Sequence, residues 1–242
     1  MKLSQVAFIL VFSLSLTYSF GQTLTGQQLL ENAIKYHDPN NQWTNFNDTL
    51  NVTMELPKSS SRDSQIIINL PQETFYLKAV RDTITTEYTV RKDTCNITYN
   101  GNSKITAAFA KTHNLSCERA KMFKNYYTYL YGLPMKLKDP GTIIDQTVQQ
   151  KTFKGKDYLV LKASYDKAVG SDVWFFYFNP ETFAMEVYQF FKTDDQGKLK
   201  LDTGEYILLT EQLEVNQIKI PKVRAWYYNK DDKYLGTDIL KK

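Results

Sequence analysis

Residues 172–192 are apolar at odd and even positions alike. An ordinary half-exposed strand alternates apolar with polar side chains, because successive residues point to opposite faces. Here Val173, Phe175 and Tyr177 point one way, and Trp174, Phe176 and Phe178 the other. Both faces of this part of a sheet therefore need apolar cover. Pro180 suits the second position of a type I turn, since its ring fixes φ near the value required there. The segment reads as a hairpin.

The pattern elsewhere predicts two helices and a long series of strands. Thr25 and Gln28 have capping-box spacing. Leu30, Ala33, Ile34 and His37 then fall on one helical face, and Asp38-Pro39 ends the helix. Val52, Met54 and Leu56 alternate with Thr53 and Glu55. Strands are expected over 65–70 and 74–80 around Pro71-Gln72, over 83–91, and over 94–99 before Asn100-Gly101. The period then changes. Asn114 can cap a helix over 115–131, with Ala120, Phe123, Tyr127 and Leu130 on one face. Met122, Tyr126 and Tyr129 widen its apolar sector, and Gly132-Leu133-Pro134 stops it. Strands resume over 147–153, 158–165, the 172–192 hairpin, 205–211 and 217–228, with Pro221 placing its neighbourhood at an edge or bulge. About ten or eleven antiparallel strands with two helices define an α+β class. The expected form is a strongly curved antiparallel sheet, a half-barrel wrapped around helices.

The first residues follow a different logic. Lys2, the apolar run Val6 to Leu16, and the small residues Ser19 and Gly21 form a signal-peptide pattern over 1–21, cleaved before Gln22. The apolar run is short for a membrane span. The remainder, 22–242, shows no linker, repeat or charge block and reads as a single domain. Its expected place is the periplasm or the exterior. The formal charge of +4 becomes +3 once Lys2 is removed, and the charges are interspersed, which excludes a nucleic-acid footprint. Cys95 and Cys117 both lie in the exported part, where a disulfide between them can persist. It would close a loop of roughly 20 residues and contribute about 3 kcal/mol.

Candidate chemistry is sparse. His37, at a helix C-terminus, is placed to interact with the helix dipole as a cation. His113 lies in a polar run, and neither histidine has metal-ligand spacing, so no metal or cofactor is expected. There is no G-x-S-x-G elbow, and a secreted hydrolase lacks a catalytic set. Asp194-Asp195 and Asp231-Asp232 read as solvated loop carboxylates. Four Asn-x-Ser/Thr triplets, at Asn47, Asn51, Asn96 and Asn114, are expected by chance in an Asn-rich chain. What remains is the aromatic excess of 17 Tyr, 14 Phe and 3 Trp. It serves either a packed core or an apolar pocket.

Four phrases carry a resemblance. They are His37-Asp38-Pro39 with Trp43, Tyr131 to Gly141 (Leu-Pro-Met-Lys-Leu-Lys-Asp-Pro-Gly at its centre), Val173 to Thr182, and Val215 to Pro221. With the order helix, strands, helix, strands, the chain resembles the LolA/LolB-like superfamily, and within it an uncharacterised family of exported bacterial proteins. That superfamily holds periplasmic carriers of lipoproteins and lipids, and a sensor domain. The arginine on which LolA carriers rely has no motif match at Arg62 or Arg81. The resemblance thus implies binding of an apolar ligand rather than lipoprotein trafficking in particular.

The expected function is non-catalytic binding of a lipid, a lipoprotein acyl chain or another hydrophobic small molecule. Phe123, Tyr126, Tyr127, Leu130, Trp174, Phe176 and Phe178 are the candidate pocket lining. The alternative is an envelope interaction or sensor module, with a protein partner and a core filled by its own side chains.

Overall fold

The structure, a computed structural model, describes residues 24–241; the leader expected over 1–21 lies outside the described residues. Helix α1 (Gly26–His37) opens the domain with a capping box. The Gln28 N–H donates to Thr25 Oγ1 at 3.2 Å, and the Thr25 N–H to Gln28 Oε1 at 2.9 Å. Five strands follow as an antiparallel meander: β1 (Asn47–Leu56), β2 (Ser59–Asn69), β3 (Thr74–Arg81), β4 (Ile84–Arg91) and β5 (Thr94–Tyr99). Helices α2 (Ala107–Thr112) and α3 (Cys117–Gly132) come next, and α3 packs on β3, β4 and β5.

A second meander runs from β6 (Thr142–Ile144) and β7 (Gln149–Phe153) through β8 (Lys156–Tyr165), β9 (Val173–Phe178), β10 (Met185–Phe191), β11 (Glu205–Val215), β12 (Ile218–Tyr228) and β13 (Tyr234–Lys241). Strand β13 pairs with β1, from Asn51 opposite Lys241 to Glu55 opposite Thr237. That pairing joins the two meanders into one antiparallel sheet of 13 strands, open between β5 at one edge and β6 with β7 at the other. The α+β class and the curved sheet holding helices are those expected. The count exceeds the expected one partly because the three-residue β6 and the whole of β13 gave no recognisable alternation.

The sheet's outer edge is broken to admit α1. Strands β6 and β7 lie one after the other along β8. In the gap between them the Gly26 N–H donates to the Gln146 carbonyl at 2.9 Å, and Thr25 bridges to Thr147. A Cβ on Gly26 would run into the Asp145 carbonyl, so only glycine lets the helix start dock here. The other end of α1 is fixed by His37, which is fully buried. Its Nδ1–H donates to the Lys219 carbonyl at 2.7 Å, and its Nε2 accepts from the Met185 N–H at 2.9 Å. These partners require the neutral imidazole, and burial lowers its pKa to about 4. The expected cation at a helix end is therefore a neutral clamp between α1, β10 and β12.

Both faces of the hairpin are covered, as its pattern demands. Trp174, Phe176 and Phe178 join the main core, which also takes in the buried faces of α1 and α3 and strands β1 to β4. Val173, Phe175 and Tyr177 form a second cluster on the opposite face with Tyr158, Val160, Val187 and Phe191, covered by Phe153 of β7 and by Leu199. The hairpin loop is wider than a four-residue turn. The Phe183 N–H reaches back to the Asn179 carbonyl, and Asn179 Oδ1 accepts from the Glu181 and Thr182 N–H groups.

Asn114 caps the other helix. It sits at φ 52° just after α2, with the Leu115 N–H bonded to Ala110 O and its own N–H to Lys111 O, a Schellman ending. Ser116 caps α3 instead, accepting from the Arg119 N–H. Pro221 lies inside β12, an interior strand, opposite Gln212 of β11. The ladder to β13 starts only at Val223, so Pro221 occupies a stretch paired on one side, where a missing N–H is tolerated.

Candidate functional site

Antiparallel order brings the end of β1, the starts of β9, β11 and β13, and the ends of β10 and β12 to one end of the sheet. There, between the sheet and the C-terminal half of α3, lies a cavity of about 380 Å³. Its apolar walls are Met54 and Leu56 from β1, Tyr126, Tyr129 and Leu130 from α3, Trp174 and Phe190 from the hairpin, Trp226 from β12, and Leu235 from β13. Its size and lining are those of a small-molecule site. Gly236 helps to shape it: a Cβ there would stand 2.6 Å from the Glu55 carbonyl oxygen, so glycine lets β13 approach β1 at the rim.

The polar groups of this cavity are Asp172, Glu205, Thr237 and Asp238. Burial pushes the Glu205 carboxyl above its ordinary range. Burial does the same to Asp238, against the opposing pull of Arg224 and Arg62. Asp238 Oδ2 accepts from the Trp226 indole N–H at 3.2 Å, while its Oδ1 has no partner among the described residues. Cross-strand from it, Arg224 is fully buried, donates to the Pro221 carbonyl at 3.0 Å and lies 4.2 Å from the Tyr131 ring centroid. Tyr126 is 37% exposed, yet protein surroundings still push its phenol pKa well up, because its free surface faces the cavity.

Of the sequence-predicted lining, Tyr126, Leu130 and Trp174 come together here. The other four lie elsewhere. Phe176 and Phe178 are fully buried in the core. Tyr127 is buried against Phe75 and accepts a hydrogen bond from Arg62 at 2.9 Å. Phe123 packs edge-on against Tyr88 with Arg119 over its ring. The reason is helical phase: Tyr126, Tyr129 and Leu130 share one side of α3, whereas Phe123 and Tyr127 turn toward β3 and β4. Sequence reasoning missed Met54, Leu56, Phe190, Trp226 and the β13 residues. Met54, Leu56 and Trp226 stood in strands expected from their pattern, but which strand ends meet was not visible. Cys95 on β5 and Cys117, the first residue of α3, also come together, with Cα atoms 5.9 Å apart, within the span of a disulfide.

A second cavity, of about 660 Å³, adjoins the first and shares Tyr129, Asp172 and Trp174 with it. Lys124, Lys136 and Asp139 are among its other walls, so it is the more polar of the two. Among the described residues no group of His, Cys, Asp and Glu could hold a metal ion, and no helix is long and apolar enough to cross a membrane.

Fold and site together define an open antiparallel half-barrel with a ligand-sized apolar cavity between its helix and one end of its sheet. The chain belongs to a family of unknown function, DUF6503, whose profile matches residues 5–241. No curated protein matches the sequence. Among solved structures it is similar to a LolA superfamily protein from Nitrosomonas europaea, with 11% identity, 91% of this chain and 93% of that chain covered, and a TM-score of 0.48. It is also similar to a DUF1329 family protein from Desulfovibrio piger, with 9% identity, coverage of 89% and 90%, and a TM-score of 0.49.

Proposed function

We propose that this protein is a non-catalytic binding protein for a hydrophobic ligand, a lipid or acyl chain, working in the periplasm or outside the cell after loss of residues 1–21. The observation that carries the reading is the cavity beside α3. Its walls are almost wholly hydrocarbon, and two of its carboxyls are held toward the neutral form by burial. Affinity then comes from apolar area, at roughly 0.8 kcal/mol for each buried methylene. Trp174 and Trp226 both line the cavity, so a bound chain reports itself in their fluorescence.

The test is native mass spectrometry of the protein purified from its exported location, paired with titration of a fatty-acyl ester probe. A co-purified lipid mass, saturable change in Trp emission and no turnover of the ester are expected. The self-filled interaction module is the second reading, favoured by the complete burial of Phe176 and Phe178 in the core. A ligand-free mass with no response to the probe would establish that reading instead.

A further inference from the structure

We infer that the ligand is a zwitterionic amphiphile whose cationic nitrogen adjoins its tail and whose anion lies beyond it. This rests on the apolar-ligand reading above and assigns the ligand's head. Tyr129, Asp172 and Trp174 line both cavities and so stand at the boundary between them, the neck that an extended ligand would span. The Tyr129 and Trp174 rings meet edge to face, 5.6 Å between centroids, and the Tyr129 hydroxyl is hydrogen-bonded to that of Tyr165.

The Trp174 ring is stacked on Phe190 at 4.8 Å and Phe176 at 5.9 Å, so its faces are taken, and charge pairing with the Asp172 carboxylate is what would hold a cationic nitrogen here, a quaternary ammonium included. Asp172 makes no hydrogen bond or ion pair among the described residues, although it is half-buried. In the outer, more polar cavity, Lys136 and Asp139 are paired with each other. That leaves Lys124 of α3, half-buried and without an ion-pair partner among the described residues, as the cation facing the outer space. A head bearing only an anion would meet Asp172 on the way through the neck. A head bearing only a cation would leave Lys124 unmatched. The order tail, cation, anion satisfies the apolar cavity, the neck and Lys124 in turn.

The test uses three monomeric probes with one dodecyl tail, titrated calorimetrically into the exported protein: dodecyl betaine (nitrogen first, carboxylate outside), dodecylphosphocholine (phosphate first, nitrogen outside) and a neutral oligoethylene-glycol dodecyl ether. The betaine should bind about 5-fold or more tighter than either of the others, the effect of about one partly screened charge pair. Lys124→Gln and Asp172→Asn should each remove most of that advantage and leave the neutral ether within about twofold of wild type. Equal affinity for the two charge orders, or substitutions that shift betaine and ether alike, would overturn the inference while the apolar site stands. Failure of all three probes to bind would remove the apolar site itself and this inference with it.

Discussion

His37 carries a pH dependence that its neighbours dictate. Its folded pKa, about 4, lies below the ordinary 6.5, because burial disfavours the charged ring; protonating Nε2 would also remove the acceptor of the Met185 N–H. Protons therefore bind the unfolded chain first. The stabilisation is complete above pH 6.5 and is lost as pH falls from there toward 4. The loss amounts to about 3 kcal/mol at most. Urea unfolding at pH 7 and pH 4.5 should show it, and His37→Gln should flatten that part of the profile. At the same scale, burial separates core from wall. Phe176→Ala should cost about 3–5 kcal/mol because its surroundings are closed. Tyr126→Ala should cost less than about 1.5 kcal/mol and weaken acyl-probe binding instead, since part of its ring already faces the cavity. Equal losses of stability at the two positions would contradict this division.

Two junctions decide how elements hold together. Strand β5 is the last strand of one edge, and α3 begins beside it. We expect the juxtaposed Cys95 and Cys117 to be bridged under oxidising conditions, tying that edge to the helix. Non-reducing peptide mapping should recover the linked pair, and replacing both by serine should cost about 3 kcal/mol. Two freely alkylated thiols under oxidising conditions would rule the bridge out. The second junction is the gap between β6 and β7 that receives the start of α1. Gly26→Ala puts a methyl group against the Asp145 carbonyl and must push helix and edge apart. Its expected cost is about 1–3 kcal/mol, read from thermal unfolding. A neutral Gly26→Ala would mean that α1 can dock further from the edge.

Across the whole molecule, the prediction is one of place. If residues 1–21 are a leader, mass spectrometry of the exported chain should find Gln22 at its N-terminus, whereas a membrane-bound chain that keeps Met1 would exclude release. The half-barrel is joined at its middle by β1 and β13, the first and last of the described strands, so the cavity beside α3 depends on the chain from Met54 to Asp238. Much of this was legible beforehand. The capping box at Thr25, the extent of α3 and the double-sided hairpin are local patterns, and period and parity report them directly. The phrase His37-Asp38-Pro39 with Trp43 has a physical constraint behind it: His37 clamps two strands, and Asp38 accepts from the Gln42 and Trp43 N–H groups.

What the sequence determined by itself was most of the strands, the two faces of the hairpin and the helix between the meanders, because each follows from neighbours a few residues apart. Tertiary structure decided the rest. It chose the even-numbered hairpin face for the helix side, placed Tyr126 and Leu130 at a cavity while sending Phe123 and Tyr127 into packing, and brought Trp226 and Asp238 beside residues far away in the chain. Both hairpin faces were equally apolar, so hydrophobicity could not choose between them. The choice fell to the β1–β13 pairing and the docking of α1, which fix where the strand ends meet.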